Sequence, residues 1–147
     1  IKKELQVAGG SVQYKQGSIG DAFPFADQYF DLVLDVTSTN SLNEEERAVS
    51  LRETARVLKP GGHFFLRALC KDGDENAKKL IKEYPGSEAD TYKMPDLGLT
   101  ERVFTETDLR EMYGNYFTIN KVSKEFHYTK FQGQSYKRAF WITYLQK

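Results

Sequence analysis

Residues 29–69 constrain this chain more than any other stretch. Leu32-Val33-Leu34 is continuously apolar, the pattern of a strand covered on both faces. Asn43 then supplies a good N-cap, and Glu46 three positions on completes a capping box. Glu44, Glu45 and Glu46 lie where a helix N-terminus favours negative charge. Ala48, Leu51, Ala55 and Leu58 recur at intervals of three and four and predict one apolar stripe. Lys59-Pro60-Gly61-Gly62 stops the helix, and His63–Leu69 is apolar again. Strand, helix, strand with tight connections is a βαβ unit, which calls for parallel strands and a right-handed crossover. The fold class expected is α/β.

The flanks add elements on both sides. Residues 1–8 read as the tail of a helix ending at Gly9-Gly10. Val12–Gln16 alternates apolar and polar and predicts a half-buried strand. Residues 71–102 are polar and mixed, with a short helix near Asn76–Tyr84 and breaks at Pro85, Gly86, Pro95 and Gly98. Thr105 caps a further helix whose apolar face is Leu109, Met112 and Tyr113. Two long strands, Phe117–Tyr128 and Tyr136–Gln146, flank a turn at Gly133 and predict an antiparallel hairpin.

Composition narrows the class of function. The 147 residues make one domain, and 21 basic against 21 acidic residues leave no net charge to draw the chain toward nucleic acid or an anionic membrane. Aromatic residues are 14% of the chain, too many for a disordered segment. No apolar run reaches the roughly 18–20 residues of a membrane span. One cysteine, Cys70, rules out an internal disulfide framework, and two distant histidines, His63 and His127, offer no metal cluster. Together these features lead us to expect a cytoplasmic domain.

The order of motifs resembles the class I S-adenosylmethionine-dependent methyltransferases. Arg56-Val57-Leu58-Lys59-Pro60-Gly61-Gly62 before an apolar strand is similar to a signature of that family. Gln16–Phe25 resembles its adenine-side segment, Phe30–Asp35 its fourth strand, and Phe104-Thr105-Glu106-Thr107-Asp108-Leu109 the helix start before its closing hairpin. The resemblance implies a partial Rossmann-like sheet of parallel strands with a C-terminal antiparallel hairpin. It divides the chain into an adenine-side segment (1–28), a βαβ core (29–70), a variable acceptor-side insertion (71–102) and a helix with the closing hairpin (103–147). It implies S-adenosylmethionine as cofactor and methyl transfer to an unidentified acceptor, expected to be a small molecule.

One part of the family pattern is missing. No glycine-rich turn of the type E/D-x-G-x-G-x-G occurs, since Gly9-Gly10 and Gly17-x-x-Gly20 lack the spacing. The chain therefore reads as the C-terminal portion of such a domain. The fourth strand would then expose an edge that is central in the family. Residues 1–25 displaced from their family position, or two copies paired through that edge, are the expected responses. A non-catalytic assembly or regulatory domain that pairs through this edge is the alternative function.

The resemblance nominates Ser18 and Ile19 for the adenine, and Asp35, Val36 and Thr37 for the cofactor at the end of the fourth strand. Each has a bland reading beside it: Ser18 as a turn residue, Asp35 as the cap of the turn that follows. No catalytic residue is clear. Asn40 can orient an acceptor but cannot act as a general base at neutral pH. Arg67 can hold a carboxylate or phosphate, or form a surface ion pair. Cys70 and both histidines read as structural. Tyr84, Tyr92 and Met94 are candidates to line an acceptor pocket. Asn120–Lys147 holds six basic residues against one acidic one among aromatics, but Asp21–Glu53 holds eight acids against two bases, which argues against a nucleic-acid footprint.

Overall fold

The computed structural model describes residues 11–94, 97–131 and 133–147. The helix expected over residues 1–8 lies outside them. In chain order the elements are β1 (Phe30–Val36), a 3-10 turn (Thr39–Ser41), α1 (Glu44–Val57), β2 (Leu58–Leu69), α2 (Glu75–Glu83), β3 (Thr91–Met94), β4 (Leu99–Arg102), α3 (Glu106–Tyr113), β5 (Thr118–Phe131) and β6 (Gln134–Gln146).

β1, β2, β6 and β5 form one sheet in that order. β1 pairs with β2 in parallel, while β6 is antiparallel to both β2 and β5. This is the α/β arrangement that the sequence predicts. Val12–Gln16 does not form the expected strand. A strand needs a neighbour for its ladder, and no described strand lies beside that segment.

Side chains alternate across the sheet. Phe64, Leu66, Ala68, Trp141 and Leu145 point to one face, where they pack with Ala55 of α1 and Leu109 and Tyr113 of α3. The opposite face is covered at one end only. There Leu69 and Phe140 pack with Ala77 of α2, Tyr92 of β3 and Val103. Toward β1 that face stays open, and Leu32, Leu34 and Val36 are 53, 61 and 52% exposed. The apolar run is thus covered on one side only, through Val33.

The stretch after α1 has a physical reason for each residue. Arg56 donates to the Phe23 and Phe25 carbonyls and to the Asp27 and Glu53 carboxylates, and so ties residues 23–27 along α1. Val57 and Leu58 are buried. Lys59 pairs with Asp31 at 2.7 Å. Gly61 has a φ of 78°, and a Cβ on Gly62 would lie 2.9 Å from the Lys59 carbonyl oxygen.

α1 starts at the predicted capping box of Asn43 and Glu46. Its stripe is less apolar than predicted. Ala48 is exposed, and Arg47, Ser50 and Thr54 are buried instead. The Arg47 guanidinium fills the inward turn at the start of the helix, because it finds the Leu42 carbonyl and the Glu88 carboxylate there. β3 and β4 form an antiparallel pair inside residues 71–102, which the sequence predicts only as a mixed insertion.

Candidate functional site

The carboxyl end of β1 runs into a tightly held loop, residues 37–42. Asp35 accepts from the backbone N–H of Ser38 at 2.9 Å and of Thr39 at 3.3 Å. The capping role open in the sequence is therefore present. Burial pushes the Asp35 carboxyl above its usual value, against the pull of those N–H groups. Thr37 has a φ of 60°, a left-handed conformation that a β-branched residue rarely adopts. Its N–H donates to the Arg67 carbonyl at 2.8 Å, which joins the loop to the end of β2. Val36 stays half exposed beside it.

Asn40 is fully buried, which the sequence does not anticipate for an acceptor-orienting residue. Its Oδ1 accepts from Leu69 N–H at 3.4 Å, and its Nδ2 makes no hydrogen bond among the described residues. Tyr113, brought by α3, is buried and hydrogen-bonds Thr39, and burial holds its phenol far above the usual tyrosine value. Arg67 lies over the Phe140 ring, 3.5 Å from its centroid, in a cation–π contact rather than an ion pair.

Ser18 and Ile19 belong to a different surface. They line an open cleft of about 590 Å³ with Phe23, Phe25, Tyr29 and Phe30, within the size range of small-molecule pockets. Ser18 Oγ accepts from Gly20 N–H at 3.0 Å, so the turn reading of this residue also holds. Gly20 sits against Glu46, which sets this end of the cleft beside the first turn of α1. Asp35, Val36 and Thr37 do not line the cleft. The five nominated cofactor residues thus form two groups.

Two other sequence candidates are buried, while Tyr84 is exposed at the end of α2. Tyr92 is buried, with its hydroxyl between Glu101 and Arg138. It holds the insertion to the sheet. Cys70 is buried, and burial pushes its thiol up to about 11, so it is no thiolate nucleophile. Arg47, Tyr113 and Glu88, which hold the loop, escape the sequence reading. A charged residue inside a helix gives no periodic signal of its own burial.

An S-adenosylmethionine-type cofactor fits these residues in part. The cleft offers aromatic faces and polar edges for an adenine, and the loop offers fixed backbone groups near the sheet end. No glycine-rich turn is present to receive the methionine part.

Known proteins resemble this chain in part of its sequence and in its fold. The model of the methyltransferase-domain family matches residues 1–66. Ubiquinone/menaquinone biosynthesis C-methyltransferases of Yersinia enterocolitica and Yersinia pestis are 36% identical over 75 residues, 51% of this chain. The match spans 29% of their length. Among solved structures, an S-adenosylmethionine-dependent methyltransferase from Methanosarcina mazei has a TM-score of 0.75 at 21% identity, covering 94% of this chain and 68% of its own. A Burkholderia thailandensis N-methyltransferase bound to S-adenosylhomocysteine has a TM-score of 0.60 at 16% identity, covering 88% of this chain and 48% of its own. Over residues 1–66 the chain is thus similar to the methyltransferase-domain family, and its sheet is the Rossmann-like α/β fold of solved S-adenosylmethionine-dependent methyltransferases.

Proposed function

We propose that the protein transfers the methyl group of S-adenosylmethionine to a small-molecule acceptor in the cytoplasm. The observation that carries the reading is the loop at the carboxyl end of β1. Open α/β sheets bind ligands there, and a strained Thr37 held from several sides is the kind of feature that function preserves.

When bound, S-adenosylmethionine supplies a methyl on a sulfonium sulfur for in-line displacement. The residues of this chain supply alignment. Ser18 and Ile19 hold the adenine side. Asp35 fixes the turn through Ser38 and Thr39 and so sets Val36 and Thr37 against the cofactor. Asn40 moves no proton; buried beneath the loop, it ties residues 37–42 to the end of β2 through Leu69 N–H. Arg67, seated on Phe140, presents a positive charge to an anionic group of the acceptor. To test this, the protein is incubated with methyl-labelled S-adenosylmethionine and a small-molecule cell extract. Label in the small-molecule fraction supports the reading. Label confined to added protein or nucleic acid, or no transfer, contradicts it.

A second reading rests on the edge of the sheet. β1 is its outermost described strand and exposes three apolar side chains. Such an edge favours pairing with another copy. Sedimentation of the wild type and of Leu34→Lys decides this: a dimer that the substitution dissociates supports assembly, and a monomer in both contradicts it.

A further inference from the structure

Glu88 lies in the inserted segment between α2 and β3, far in sequence from the loop at the end of β1. Its carboxylate nevertheless reaches two groups beside that loop. One oxygen accepts from the backbone N–H of Glu44, the first residue of α1, at 2.8 Å. The other pairs with the Arg47 guanidinium. Arg47 in turn donates to the carbonyl of Leu42, the residue that ends the loop. The arginine is 2% exposed. Burial opposes ionisation of Glu88, but the Glu44 N–H and then the Arg47 guanidinium together hold its carboxyl below the usual value.

The arrangement is not explained by packing alone. Arg47 keeps its Nε buried with no hydrogen-bond partner among the described residues. A buried donor left unmade is destabilising, so an apolar residue at this place would serve stability better. What the arginine uniquely provides is a link of one insertion residue to one loop carbonyl. The insertion itself is anchored to the sheet elsewhere, through Arg138 and Asp74 and through Tyr92. Glu88 is therefore presented from a fixed support.

We propose that Glu88 and Arg47 form a clasp through which the inserted segment sets the position of the loop Thr37–Leu42, making both of them positioning residues for that site. The role assigned to the loop rests on the methyltransferase reading above; the mechanical link does not. Glu88 bonded to α1 and Arg47 bonded to Leu42 hold the loop from its far end, while Asp35 and Tyr113 hold it from below. A change in the insertion, such as acceptor binding, is then felt at residues 37–42 without any movement of the sheet.

Amide hydrogen exchange tests the clasp directly in the whole protein. The loop amides of Thr37, Ser38, Thr39, Ser41 and Leu42 all have acceptors and are measurable. In Glu88→Ala, exchange at these amides should rise by about tenfold or more, as expected when a charge-assisted bond is lost from a local opening unit. Amides that join β2 to β6 should not change. Glu88→Gln keeps an acceptor for Glu44 and loses only the ion pair, so it should give a smaller rise and guards against a variant that folds poorly. A rise confined to Glu44, or one spread evenly over the chain, overturns the proposal, because either marks a merely local or merely global effect. Titration of the wild type with S-adenosylhomocysteine separates the two ideas: no binding sinks the methyltransferase reading, and exchange still judges the clasp.

Discussion

The guanidinium of Arg138 on β6 meets the carboxylate of Asp74 at 3.0 Å, and the Asp74 side chain is completely buried. The same carboxylate caps α2 through Ala77 N–H and accepts from Ala139 N–H of β6. One acidic group thus joins the insertion to the sheet. Removing it leaves the largely buried Arg138 cation without its counter-charge, held only by the Tyr92 hydroxyl. We expect Asp74→Ala to lower stability by about 3–5 kcal/mol. Urea unfolding checks this, and a loss below about 1 kcal/mol would show that Asp74 does not carry this join.

Thr37 pays for its left-handed backbone with strain of order 1–3 kcal/mol, which glycine does not suffer. Thr37→Gly should therefore raise the thermal midpoint while slowing methyl transfer, since the loop loses its fixed shape. A variant both less stable and fully active would remove the functional reason for the strain.

Alkaline pH should weaken the fold. Burial raises the Cys70 thiol from its ordinary value of 9.0 to about 11 in the folded protein. The unfolded chain releases that proton first as pH rises. The contribution is therefore complete below pH 9.0 and is lost toward pH 11, at up to about 1.4 kcal/mol per pH unit in between. Tyr113, also raised by burial, adds to the same trend at higher pH. Cys70→Ser should flatten the fall between pH 9 and 11 in a denaturation series, and an unchanged slope would contradict the assignment.

The N-cap of α1 offers a more modest test. Asn43 accepts from Glu46 N–H at 2.9 Å while Glu46 reaches back to Asn43 N–H. Asn43→Ala should cost about 1 kcal/mol. Asn43→Ser should recover most of it, as read from denaturant midpoints.

Elements governed by local rules were legible in the sequence. Asn43 and Thr105 start their helices as their side chains dictate. The β5–β6 hairpin and the parallel β1–β2 pair follow from apolar pattern and turn position. What failed depended on neighbours. Val12–Gln16 has strand alternation but no described strand beside it. Ala48 obeys the helical period yet faces solvent, because the Glu88 carboxylate, 41 positions away, draws Arg47 inward. The candidate site divides in the same way. Asp35 and Thr37 are visible as a strand end, but Tyr113 and Glu88 reach the loop only through tertiary structure, and the cleft at Ser18 proves separate from the residues at Asp35.

The methyltransferase reading requires that S-adenosylmethionine bind at the Ser18 cleft and the loop after β1. Calorimetric titration of the protein with S-adenosylhomocysteine tests it most directly. Saturable binding is expected with a Kd in the micromolar range, about −8 kcal/mol at 1 μM, weakened when Asp35→Ala releases the loop at Ser38 and Thr39. An absence of binding heat, or binding indifferent to that substitution, would contradict it.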